Sequence, residues 1–249
     1  MTMSKIKSIL LTLSCVALMG GLWATLNSNS LFASEEEPGG AKQFVGKVDI
    51  KNSPYFPQLD IYNMKSNENL IILSNFKTQQ QNTGYTCGPV AANMVVQHFN
   101  GQPLHKEMEI AKIMGTNKFN GTTTKEMVKY FDHIGWETRS SVKNIAPETY
   151  EDFLKFVTTN LKDNTPIIVE NVDWGGHWRV IMGYDSMGTK HTGDDVLFMA
   201  DPFDTSDHLQ DGYNILSAER FFYMWFDHQL FKKADQNKQW LIAKPKKQH

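Results

Sequence analysis

Cys87 stands in the run Gln81-Asn82-Thr83-Gly84-Tyr85-Thr86-Cys87-Gly88-Pro89, directly before a stretch that reads as a helix. The chain has two cysteines, and the other, Cys15, lies in an N-terminal apolar stretch that has the marks of an export signal. An exported chain left with one thiol cannot close an internal disulfide. A buried inert thiol, a link to another chain and a nucleophile remain. A thiol becomes a nucleophile when its surroundings favour the thiolate. A helix N-terminus does this through its dipole and free N–H groups, and a histidine does it as an ion-pair partner.

Of the 8 histidines, His177 is set apart by its context. It follows Gly175-Gly176, where a substrate backbone could approach closely, and it opens the apolar run Trp178 to Tyr184. After a loop from Asp185 to Asp195, the next strand ends Met199-Ala200-Asp201-Pro202. If the two strands form a hairpin, the start of the first faces the end of the second, so His177 and Asp201 become neighbours. A carboxylate there could orient the imidazole. Asp185 and Asp195 fall in the hairpin loop, away from His177. An acyl-transfer site also needs donors for an oxyanion. The Cys87 N–H would be one, and Gln81, six residues upstream, a second, although the run Gln79-Gln80-Gln81 leaves the register open by one. Gly176, Trp174 and Trp178 flank His177 as candidate substrate-binding residues. His191, Asp194, Asp195, Asp201, Asp204, Asp207 and His208 lack the tight spacing of metal ligands, so neither a metal nor an organic cofactor is expected.

These residues need elements to carry them. Phe44–Ile50 and Asn69–Leu73 read as strands, with an irregular stretch over 51–66 between them. Val90, Ala91, Met94, Val95 and His98 or Phe99 repeat at helical spacing behind Gly88-Pro89. Helices are also expected over Leu104–Met114, over Thr123–Ile134 with Thr122 or Thr123 as cap, and from Tyr150 to near Asn164. Ile167–Asn171, Trp178–Tyr184, Val196–Ala200 and Gln239–Ala243 read as strands, and Ser217 as the cap of a helix over Glu219–Phe226. Helices first and antiparallel strands afterwards is an α+β pattern.

The 249 residues suffice for one good core. A formal charge of −2 without a basic cluster argues against nucleic acid. Lys5 and Lys7 precede an uncharged stretch from about Ile9 to Leu26, the two parts of a secretory signal. The expected organisation is a signal peptide over 1–33 (or an uncleaved N-terminal anchor), a linker over 34–43 around Pro38-Gly39-Gly40, and one catalytic domain over 44–249. The protein is thus expected to be periplasmic or secreted, touching a membrane only through its N-terminal segment.

Gln-(five residues)-Cys-Gly-Pro, then Gly-His-aromatic-x-Val, then an Asp-Pro closing the next strand, together resemble the papain-like cysteine peptidases. The resemblance is to family thirty-nine, the double-glycine leader peptidases and their stand-alone relatives, over roughly residues 69–226. It implies a papain-like fold, with helices packed on an antiparallel sheet, and hydrolysis of a peptide bond through an acyl-enzyme. Residue by residue, it implies Cys87 as nucleophile, His177 as base, Asp201 as the group orienting it and Gln81 as oxyanion donor. The partner it implies is a peptide or protein substrate. Departures are the lack of a P-loop or multi-span segment, and Thr86 where the family commonly has an acidic or small residue. An acyltransferase or transpeptidase on the same fold, and a catalytically silent peptide-binding module, are the alternatives.

Overall fold

The structure is a computed structural model that describes residues 39–41, 49–228 and 231–246. The expected signal, Cys15, most of the linker and most of the strand over 44–50 lie outside the described residues.

Helix α1, Cys87–Asn100, follows a three-residue strand β1, Leu70–Ile72. Every residue of α1 from Cys87 to Val96 is buried, as befits a helix apolar nearly all round. It ends at Gly101, whose φ of 77° lets its N–H reach the Gln97 carbonyl. Helix α2, Glu107–Met114, starts later than its apolar pattern suggests. The Glu109 carboxylate accepts from the Lys106 N–H at 2.9 Å and defines the first turn there, leaving Leu104 exposed. In α3, Thr124–His133, the cap is Thr123. Its N–H donates to Glu126 at 2.7 Å while its hydroxyl accepts from the Glu126 N–H at 3.3 Å, a reciprocal box.

Strand β2, Trp136–Ser140, comes next, then α4, Tyr150–Lys162, capped by the Thr149 hydroxyl. The rest of the sheet is β3, Ile167–Asn171, β4, His177–Asp185, β5, Val196–Ala200, and β6, Tyr213–Ser217. A short helix α5, Ala218–Tyr223, and β7, Trp240–Pro245, complete it. Among the described residues the strands form one antiparallel sheet in the order β2-β7-β3-β4-β5-β6, with β1 pairing β4 beyond the end of β3. Helices α1 and α4 both pack on β4, and β3 is buried throughout. This is the α+β arrangement of helices on an antiparallel sheet. The pattern of apolar residues did not reveal β2 and β6. Each is five residues long, with one apolar residue in β2 and three in β6, too few for a legible alternation.

The entry to α1 depends on one close approach. A Cβ on Gly88 would stand 2.7 Å from the Cβ of Thr122 and 2.8 Å from its hydroxyl. Gly88→Ala should therefore destabilise the fold by about 1–3 kcal/mol through overpacking. Equilibrium urea unfolding tests this, and an unchanged midpoint would mean that the Thr122 segment can retreat freely.

Candidate active site

The hairpin of β4 and β5 carries the expected pairing, with one addition. Asp185 stands opposite Val196, Tyr184 opposite Leu197 and Gly183 opposite Phe198, but Ile181 then pairs with Met199 and Val180 with Ala200. One residue of β4, Met182, is spare at this bulge. Because side chains alternate between faces, a one-residue shift turns every later residue over. Continued past Ala200, the shifted register sets Asp201 opposite Arg179. Without the bulge it would oppose Val180 and face away from His177. With it, Asp201, Arg179 and His177 share a face.

Their contacts are short. His177 Nε2 is 2.7 Å from Asp201 Oδ1, and Arg179 Nε donates to Asp201 Oδ2 at 2.6 Å. The Phe203 N–H donates to Oδ1 at 2.8 Å, so Asp201 also starts the turn at Pro202. Arg179 spans to Asp173 at 2.6 Å and donates to Asn171 Oδ1 at 3.3 Å. Asp201 is 1% exposed and Arg179 3%. Burial alone would raise the Asp201 pKa, but the charges of Arg179 and His177 hold it well below the usual carboxylate range. For His177 burial acts downward; the Asp201 charge and hydrogen bond, with a smaller contribution from Cys87, outweigh it and raise the pKa to about 9. Cys87, the first residue of α1, lies beside the same ring and contributes to its raised pKa. With Nε2 on Asp201, the nitrogen left for Cys87 is Nδ1.

Cys87, His177, Gln81, Gly176 and Trp174 line one cavity of about 300 Å³. The three glutamines before it have separate partners. Gln79 accepts from Asn93 and donates to Gln97 on α1. Gln80 donates to the Asp201 carbonyl at 2.7 Å and accepts from the Asp204 N–H. Gln81 lines the cavity, with its amide donating to the Thr83 carbonyl at 2.6 Å. Trp174 is 63% exposed and held at φ 53°, a left-handed conformation uncommon for a bulky residue. Its ring meets the His177 ring edge-on, with centroids 5.0 Å apart, and partly covers it. Trp178 departs from expectation. It alternates to the other face of β4, is buried, and donates its indole N–H to the Thr122 carbonyl at 2.8 Å, so it supports the site from beneath and does not line the cavity.

The sequence profile of the Peptidase_C39 like family matches residues 73–226, well over half of the 249 residues. The chain belongs to that family. No curated protein matches it. Solved structures of similar shape include the peptidase domain of Streptococcus ComA, a bi-functional ABC transporter involved in quorum sensing. That domain is 24% identical over 69% of this chain and 99% of its own, with a TM-score of 0.46. Another is a double glycine motif protease from an AMS/PCAT transporter in complex with its leader peptide, 17% identical over 68% of this chain and 90% of that one, with a TM-score of 0.43. The peptidase domain of Streptococcus mutans ComA is 20% identical over 68% and 100% respectively, with a TM-score of 0.40.

Three residues of this C39-like protein escaped the sequence reading. Arg179 was legible in principle, as a lone charge two positions after His177 in an apolar strand. Glu107 was not. From the start of α2 its carboxylate accepts from the Asn82 N–H at 2.9 Å and from the Thr86 hydroxyl at 2.5 Å, fixing the loop that leads to Cys87. Glu170 lies opposite Trp178 on β3, and burial, reinforced by Asp227 and Cys87, pushes its pKa up to about 11. It is therefore neutral at physiological pH and adds no negative charge near the thiol.

Arg179→Leu leaves Asp201 buried with one cationic partner fewer, and should cost about 3–5 kcal/mol in urea unfolding. Arg179→Lys, which keeps the charge and loses the fork, should cost less. His177 carries a second test. Its pKa is raised from 6.5 to about 9 in the folded state, so its stabilising contribution is complete below 6.5 and is lost as pH rises through about 9. The stability advantage of the wild type over His177→Gln should shrink across that window. A ring titration by NMR that places His177 near 6.5 would contradict this.

Proposed function

We propose that the protein is an exported cysteine peptidase that cuts a peptide bond by way of an acyl-enzyme. The observation that carries this reading is the arrangement at the α1 terminus: Cys87 and His177 line one cavity, and His177 Nε2 is 2.7 Å from a carboxylate that Arg179 keeps ionised. A raised His177 pKa favours the imidazolium, the form that stabilises a thiolate and later protonates the departing amine. The thiolate attacks the scissile carbonyl carbon. The oxyanion that forms takes hydrogen bonds from the Cys87 N–H, which has no acceptor within its helix, and from the Gln81 amide hydrogen not committed to Thr83. Collapse expels the amine with the proton from His177, and water then releases the acid. Family membership supports the cysteine-peptidase chemistry, and the charged and apolar parts of the N-terminal sequence support export.

Peptide hydrolysis should fall by at least about 100-fold in Cys87→Ala and in His177→Ala. Activity should decline on the alkaline side near pH 9, as His177 loses its proton. Asp201→Asn removes the charge that holds the proton and should move that decline to lower pH. An alkaline limb at the same pH in Asp201→Asn would refute the assigned role. Export is read separately, by cell fractionation and by the N-terminal mass of the exported chain. Recovery of the intact chain solely from the cytoplasm would remove that part of the proposal.

A further inference from the structure

Gly39, Gly40 and Ala41 belong to the stretch expected to be a linker, yet Gly40 and Ala41 are buried. Gly39 lines the same cavity as Cys87, Gln81, Gly84 and Tyr85, with a φ of 130° that only glycine adopts readily. Gly40 lies flat against the backbone leading to the thiol. A Cβ there would stand 2.2 Å from the Asn82 carbonyl carbon and 2.4 Å from the carbonyl oxygens of both Gln81 and Asn82. Ala41 is fully buried, and its carbonyl accepts a hydrogen bond from the Gln210 side chain. On the Gly84 side, a Cβ on Gly84 would reach to 3.6 Å from the Gly39 carbonyl oxygen. The missing side chain of Gly40 lets the segment lie this close to the wall, and the buried Ala41 anchors it.

We propose that residues 39–41 are a built-in occupant of the Cys87 cleft, a strap that an incoming peptide must displace. This rests on the reading of that cleft as the peptidase site. A tethered segment competes at an effective concentration of about millimolar, so a free peptide that binds no better than the strap meets a largely closed site. The two glycines then have a physical role beyond loosening a linker. Gly40 fits where the wall leaves no room for a Cβ, and Gly39 takes a φ that other residues rarely adopt. Regulation follows from anything that draws the strap out.

The test uses the full chain and N-ethylmaleimide, with modification of the Cys87 peptide followed by mass spectrometry. Rates are compared at the alkaline plateau, where the thiolate fraction no longer matters. Gly40→Leu places a side chain against carbonyl groups, and Ala41→Arg puts a charge in a sealed position. Both should raise the Cys87 rate about tenfold or more while the near-ultraviolet tryptophan signal of the folded protein is retained. Gln210→Ala, which loses one anchor, should give a smaller rise. Rates equal to wild type in all three variants would overturn the strap. So would an intact mass showing wild-type chain cut within 39–41 and Cys87→Ala chain uncut, since the segment would then be a substrate and not a standing occupant. Peptide hydrolysis is scored on the same proteins. Faster alkylation without hydrolysis keeps the strap and removes the peptidase reading; hydrolysis with unchanged alkylation removes the strap alone.

Discussion

A carboxylate sealed from water must be compensated by charge and by hydrogen bonds, and Asp201 imposes that requirement on everything around it. One oxygen takes the His177 ring and the Phe203 N–H, and the other takes Arg179. Arg179 is itself buried and needs Asp173 and Asn171 to complete its donors. The backbone carbonyl of Asp201 is in turn bonded by Gln80. The strand that carries His177, the turn that follows β5 and the loop that leads to Cys87 all converge on one acidic group. Its ionised state is thus a structural condition of the fold as well as a property of the site.

That convergence explains the electrostatic balance at Cys87. Arg179 neutralises the acid that would otherwise leave a buried negative charge near the thiol. The proton on His177 is then held by its neighbours and not by solvent, as its elevated pKa reflects. Glu170, close by, is kept neutral by burial and by Asp227. A second ionised carboxylate there would repel a thiolate in a low-dielectric setting, where such repulsion is poorly screened. Among the described residues, Cys87 therefore has one cationic ring beside it, and the nearby Glu170 carboxyl is neutral.

Cys87, His177 and Asp201 were legible in the sequence because each lies at a boundary the chain marks plainly: a helix start at Gly-Pro, a strand start after Gly-Gly, and a strand end before Pro. The hairpin between the last two followed from antiparallel pairing. The bulge at Met182 did not, because nothing in Val180-Ile181-Met182-Gly183 distinguishes a continuous ladder from one with a spare residue. Whether Asp201 faces His177 or turns its back therefore depended on a detail below the resolution of pattern reading. Trp178 was misplaced for a related reason: adjacency to His177 along a strand puts a side chain on the opposite face. Glu107 and Glu170 depend on contacts between distant segments, and the weak strands β2 and β6 on neighbours in the sheet that complete them. None of these leaves a local mark.

The three adjacent glutamines have a consequence for how the cleft behaves as a whole. Gln79 is tied to the helix that bears Cys87, while Gln80 and the backbone of Gln81 are tied to the turn that bears Asp201, the latter through the Pro202 carbonyl at 2.8 Å. The two walls of the cleft are thus spliced at one end by neighbouring residues of a single extended segment. They cannot spread apart without breaking several of these bonds together. The width between the Cys87 thiol and the His177 imidazole is set when the chain folds, a fixed gauge for whatever enters the cleft.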